Sequence, residues 1–195
     1  EQQQPPRVRP WIGAESGYAS ILDEESREDC LATNPGSPAC QTDRRDLYLF
    51  SVTGAAEYIG VRDILDPRGG VRARASVEPG LTGGDTNIVY TRVLGEGSIY
   101  FDIGSDNLTG ALRGRVGTII GPDGAPPDRK FYAGGGGSVR GYEYQSLSPR
   151  DPETGLPNGG RSLVEMSAEL RYRATNSLGY VAFIDAGAAG SNVEP

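Results

Sequence analysis

The sequence predicts an all-β protein, part of an antiparallel transmembrane β-barrel, and three observations carry that expectation. Apolar and polar residues alternate with a period of two over several segments, and the two faces so defined differ sharply in chemistry. The clearest segments run for about 10–13 residues, against about 5–6 for the usual strand of a soluble protein. The connections between them also alternate in length, as in barrels with short turns at one end and longer loops at the other.

In chain order, the first segment, Trp11 to Ile21, is the weakest, with Trp11, Ile12 and Tyr18 its main apolar residues. In the second, Tyr48, Phe50, Val52, Gly54, Ala56 and Tyr58 form one apolar face. In the third, Val71, Ala73, Ala75 and Val77 alternate with Arg72, Arg74, Ser76 and Glu78. Asn87 to Ile103 is strand-like but less regular. Leu112, Val116 and Ile120 alternate with Arg113, Arg115 and Gly117. The strongest pattern runs from Arg161 to Arg173. Its odd positions are Arg161, Leu163, Glu165, Ser167, Glu169, Arg171 and Arg173, and its even positions are Ser162, Val164, Met166, Ala168, Leu170 and Tyr172. A helix would spread charges at i and i+2 around its whole cylinder, so this segment fits a strand between two different solvents. Leu178 to Gly187 completes about seven strands.

The connection holding Cys30 and Cys40 is long, Arg62–Gly70, Gly80–Thr86 and Ser105–Thr109 are shorter, Pro122–Gly160 is very long and Ala174–Ser177 is tight. Up-and-down counting puts the two longest connections at the same end; the shortness of Gly80–Thr86 fits less well. A soluble β-sandwich also alternates and stays open on pattern alone. Strand length, and polar faces rich in Arg and Glu that suit a wet lumen, point away from it.

Composition narrows the function classes. The chain is 36% hydrophobic, with 29 Gly and 14 Pro, so turns are frequent. No apolar run approaches the ~18 residues that mark a transmembrane helix, which leaves strands as the means of crossing a membrane. A net charge of -7 argues against a nucleic-acid surface. The sequence contains 0 His, so Ser-His and Cys-His chemistry is not available from this chain. Cys30 and Cys40 are too few for a structural zinc site, so no metal is expected. A local disulfide in an oxidising compartment is the expectation for them, with two free thiols as the alternative.

The expected organisation is a disordered or linker segment over residues 1–9, a barrel fragment over 10–190 with a long loop at 121–160, and a truncated end at 191–195. The start, Glu1 to Pro6, has no basic segment followed by an apolar one, so for an exported protein either the start has been removed or the chain is a fragment.

The most distinctive stretch is Phe131-Tyr132-Ala133-Gly134-Gly135-Gly136-Gly137-Ser138-Val139-Arg140-Gly141-Tyr142. It lacks the Lys-Ser/Thr and the helix of a phosphate-binding loop, and a plain flexible linker is the simple alternative. Yet Val139-Arg140-Gly141-Tyr142 resembles the VRG(F/Y) motif of the Omp85 family of outer-membrane β-barrels. The residues around it are similar to those of the TamA-type branch. Gly159-Gly160-Arg161-Ser162-Leu163 resembles the start of a later barrel strand of that family, and Phe183-Ile184-Asp185-Ala186-Gly187 its FxDxG motif. Asp66-Pro67-Arg68-Gly69-Gly70 resembles the turn that opens an earlier one.

The resemblance implies a fragment of about seven strands out of about sixteen, a bacterial outer-membrane location, and a long loop folded back into the barrel. Arg140 would be the loop's lumen-facing tip, Asp185 its carboxylate partner and Glu169 the second acid. Val139, Gly141, Tyr142, Phe183, Gly187, Gly159 and Gly160 would be motif residues around them. An Arg offers a planar fork that carboxylates accept bidentately, which suits such a grouping. The implied function is assembly or insertion of outer-membrane proteins, in the TamA-like case of autotransporters. The implied partners are the outer-membrane bilayer, unfolded outer-membrane clients and a TamB-like inner-membrane-anchored protein. No catalytic residue and no cofactor is implied. A two-partner-secretion pore shares both motifs and is the alternative; a barrel enzyme is a third and weaker one.

Overall fold

The computed structural model describes residues 6–22, 44–84, 87–105, 107–152 and 154–193. Cys30 and Cys40, and the disulfide expected between them, lie outside these residues. Among the described residues, seven strands form one antiparallel sheet in the order of the chain: β1 (Arg7–Leu22), β2 (Arg44–Val61), β3 (Gly70–Gly84), β4 (Ile88–Asp102), β5 (Leu108–Ile120), β6 (Ser162–Arg173) and β7 (Gly179–Gly190). β1 and β7 are the sheet's edges among the described residues.

Several boundaries differ from those expected. β1 begins at Arg7, so residues 7–9 belong to a strand and not to the linker. Its weak alternation is supplemented by continuous pairing with β2, from Arg7 opposite Ile59 to Leu22 opposite Arg44. β3 runs on to Gly84, which absorbs most of the connection Gly80–Thr86. Gly80 makes that extension possible, because the Tyr90 ring lies where its side chain would be: a Cβ there would stand 2.4 Å from the ring carbon Cζ. Gly159 and Gly160 precede β6 and are not part of it; Gly160 instead forms an isolated bridge with Phe131.

The burial pattern inverts that of a water-soluble sheet. Apolar side chains on one face are exposed, including Ile12 at 79%, Met166 at 67% and Ile184 at 72%, whereas Glu78 and Glu165 on the other are buried at 5% and 2%. Such an arrangement is stable where the outer solvent is lipid and the inner face is covered by polar partners. On the inner face, strand register sets charges of opposite sign side by side. Arg9 pairs with Glu57, Glu57 with Arg74, Arg74 with Glu96, Glu96 with Arg115, and Arg115 with Glu165. Opposite charges directly across neighbouring strands stabilise the pairing. Arg115 sits between two acids, with Nη1 2.7 Å from Glu165 Oε2 and Nε 3.5 Å from Glu96 Oε2.

The long connection between β5 and β6 folds onto this inner face. It contains a 3-10 turn, Pro127–Arg129. Its Ala125, Phe131 and Ala133 form the apolar core together with Tyr90, Ile119, Leu163 and Ala189 of the wall. Leu163, the apolar residue among the odd positions of β6, is 1% exposed under the loop. Apolar residues on an inner face mark where a covering segment excludes water.

Candidate functional site: the loop tip on β6 and β7

The loop turns sharply through its glycines. Gly134, Gly135 and Gly141 have φ of 106°, 99° and 88°, a region that costs other residues steric strain. The turn is closed internally, since Ser138 Oγ accepts from the Gly134 amide at 2.9 Å. Between these bends Val139 is 1% exposed, and Arg140 points at the wall.

The structure brings Arg140, Asp185 and Glu169 together. Arg140 Nε donates to Asp185 Oδ2 at 2.7 Å and Nη2 to Asp185 Oδ1 at 2.9 Å, a bidentate pair. The Arg140 backbone amide also donates to Asp185 Oδ2, at 3.0 Å. Nη1 donates to Glu169 Oε2 at 2.7 Å. Nη2 reaches Ser167 Oγ at 3.1 Å, and that hydroxyl in turn donates to Asp185 Oδ1 at 2.7 Å. The guanidinium carbon lies 3.6 Å from the centroid of the Phe183 ring, adding a cation–π contact. Asp185 is only 1% exposed in its side chain and Arg140 28%. Hydrogen bonds to Asp185 are the largest influence on Arg140, holding its pKa above the ordinary arginine value against the opposing effect of burial, so the tip keeps its charge.

Register explains why these groups meet. Ser167 pairs with Asp185 and Glu169 with Phe183, so all four share one face of the β6–β7 pair. Gly187 pairs with Glu165 and keeps the wall close there, because a Cβ on it would stand 2.7 Å from the Val164 carbonyl. Gly160 passes equally near β7, its would-be Cβ 2.5 Å from the Gly190 carbonyl, and Gly159 has φ of 70°. Tyr142, by contrast, is 56% exposed.

Sequence reasoning missed five participants. Ser167 was visible on the polar face of its strand, but its role depends on the register with Asp185. Arg113 Nη2 donates to the Ser138 carbonyl at 3.1 Å, holding the tip from the β5 side. Ser138 Oγ donates to Glu165 Oε1, and Glu165 is in turn paired with Arg115. Arg113, Glu165 and Arg115 had been read only as wall charges, because nothing local in the sequence says which of them a distant loop will reach.

An outward apolar wall, a charged inner face and an inward loop held by an Arg–carboxylate cluster define a piece of an outer-membrane β-barrel with an inserted loop. A family model described as the Omp85 superfamily domain matches residues 12–194, and the chain belongs to that superfamily. A curated relative, the outer membrane protein assembly factor BamA of Nitratidesulfovibrio vulgaris strain Hildenborough, is 33% identical over 111 residues, covering 55% of this chain and 14% of the relative. The crystal structure of BamA from Haemophilus ducreyi lacking POTRA domains 1-3 superposes with a TM-score of 0.72 at 22% identity, covering 93% of this chain and 38% of that one. The chain thus spans a minor part of both. Its fold is that of a wall of an outer-membrane barrel.

Proposed function

We propose that this chain is the wall-and-loop portion of an outer-membrane protein assembly and insertion factor, in which the Arg140–Asp185–Glu169 cluster anchors the inward loop. The carrying observation is the bidentate Arg140–Asp185 pair, which ties a loop of a superfamily member to its inner wall. The curated relative bears the name of an assembly factor. The function involves no covalent chemistry: the wall receives unfolded barrel clients within the bilayer and lowers the barrier to their strand pairing.

Within that function we favour a TamA-like role in autotransporter assembly with a TamB-like partner, on the resemblance of the segment Phe131 to Tyr144. Depleting the full-length protein in its own organism separates the cases. Autotransporters falling at the surface while other barrel proteins hold supports the narrower role. A fall of all barrel proteins together overturns it in favour of general assembly. Unchanged levels of both overturn assembly altogether.

A further inference from the structure

The tip is not the loop's sole attachment. At the opposite side of the wall, Arg129 ends the 3-10 turn with a side chain only 14% exposed. Its Nη2 lies 2.7 Å from Glu15 Oε1 on β1, and its Nη1 3.3 Å from Glu78 Oε1 on β3. Glu78 is 7% exposed in its side chain, and its other cation, Arg92 on β4, is farther off at 3.9 Å. Glu78 Oε1 has no aligned hydrogen bond, so what holds it to Arg129 is charge in a confined space. Two residues on, Phe131 is 2% exposed, bridged to Gly160 by backbone bonds of 2.9 Å and 2.7 Å. The Arg92 guanidinium carbon lies 4.5 Å from the centroid of its ring. The ring fills the space left by Gly117 on β5, where a Cβ would stand 2.5 Å from its Cζ.

These contacts fall on β1, β3, β4 and β5, whereas the tip's fall on β5, β6 and β7. We infer that Arg129 is a second positioning residue of the loop, which with Glu78 and Glu15 pins its neck to the far side of the wall independently of Arg140. Pinning the neck leaves about nine free residues before the tip instead of about twenty, which raises the chance that the tip finds its site by about threefold on loop-closure grounds. The arrangement is a strut across the curved sheet with one ionic foot at each end.

The inference goes beyond the proposed function and its test uses no client. In the full-length protein with Cys30 and Cys40 changed to Ser, in intact outer membranes, single cysteines replace Ala125 near the neck and Val139 at the tip, which are 5% and 1% exposed. Labelling with a membrane-impermeant maleimide reports each end, and the mobility of the unheated protein on gels confirms the folded barrel. Arg129→Ala should speed labelling at position 125 by about tenfold, as expected for loss of a charged partner, and at position 139 by no more than about threefold. Arg129→Lys should restore most of the protection. Equal opening of both ends, or no change at 125, overturns the inference. Should Arg129→Ala fail to reach folded mobility, Glu15→Gln removes only the β1 partner. A rise of about threefold at 125 alone then supports the neck attachment, and no rise overturns it.

Discussion

Glu165 and Met166 are neighbours in β6, yet the first is 2% exposed and the second 67%. In a water-soluble protein those values would be exchanged. The inner face buries its charges against one another and against the loop, whereas the outer face offers methyls and rings to whatever surrounds it. The difference teaches that each side of this wall has been matched to a different solvent. The inner side is specific, because every buried charge there must find its own partner. The outer side needs only to be apolar.

That contrast can be broken or sharpened by substitution. A large effect is expected at the tip. Arg140→Ala leaves Asp185 without its cation, while Glu169 keeps Arg171, at a cost of about 3 kcal/mol, the lower end for a buried pair because Arg140 is 28% exposed. In the full-length protein this should appear as rapid protease cleavage within the loop; a loop as resistant as the parent's would remove the anchoring role. On the outer face, Met166→Arg should cost about 2–4 kcal/mol if the residue lies near the middle of the bilayer, read as a lower denaturant midpoint for the barrel in lipid. An unchanged midpoint would mean that this face meets water or protein. The smallest effect is expected from a new charge inside. Ser98 pairs with Arg72 and Arg113, so Ser98→Glu should shift the same midpoint by less than about 1 kcal/mol in either direction. A loss as large as that of Met166→Arg would show that the two faces do not differ in solvent.

Much of the wall was legible because alternation is a local property. Even and odd positions of β6 announce two faces without reference to any other strand, and β2 and β3 do the same. β1 was hardest to see, because its apolar residues are sparse and its extent depends on pairing with β2. The limits of β3 were obscured by Pro79 and Gly80, which break the pattern locally but are held in the sheet opposite Thr91 and Tyr90. For the tip, the acids and the arginine stood out through family resemblance; Ser167, Arg113 and Ser138 did not. The neck was invisible: Arg129, Glu78 and Glu15 are ordinary charges in three separate segments.

By itself, then, the amino-acid sequence determined the strand periodicity, the opposed chemistry of the faces and the long glycine-bent loop. Each of these follows from side-chain type at fixed spacing along one chain. Tertiary structure decided which charges become partners. Arg140 lies 45 residues from Asp185. Arg129 is held by acids on two strands that enter the sheet long before it. Such encounters are set by the register of the strands and the path of the loop across them, and those depend on the packing of the whole wall at once.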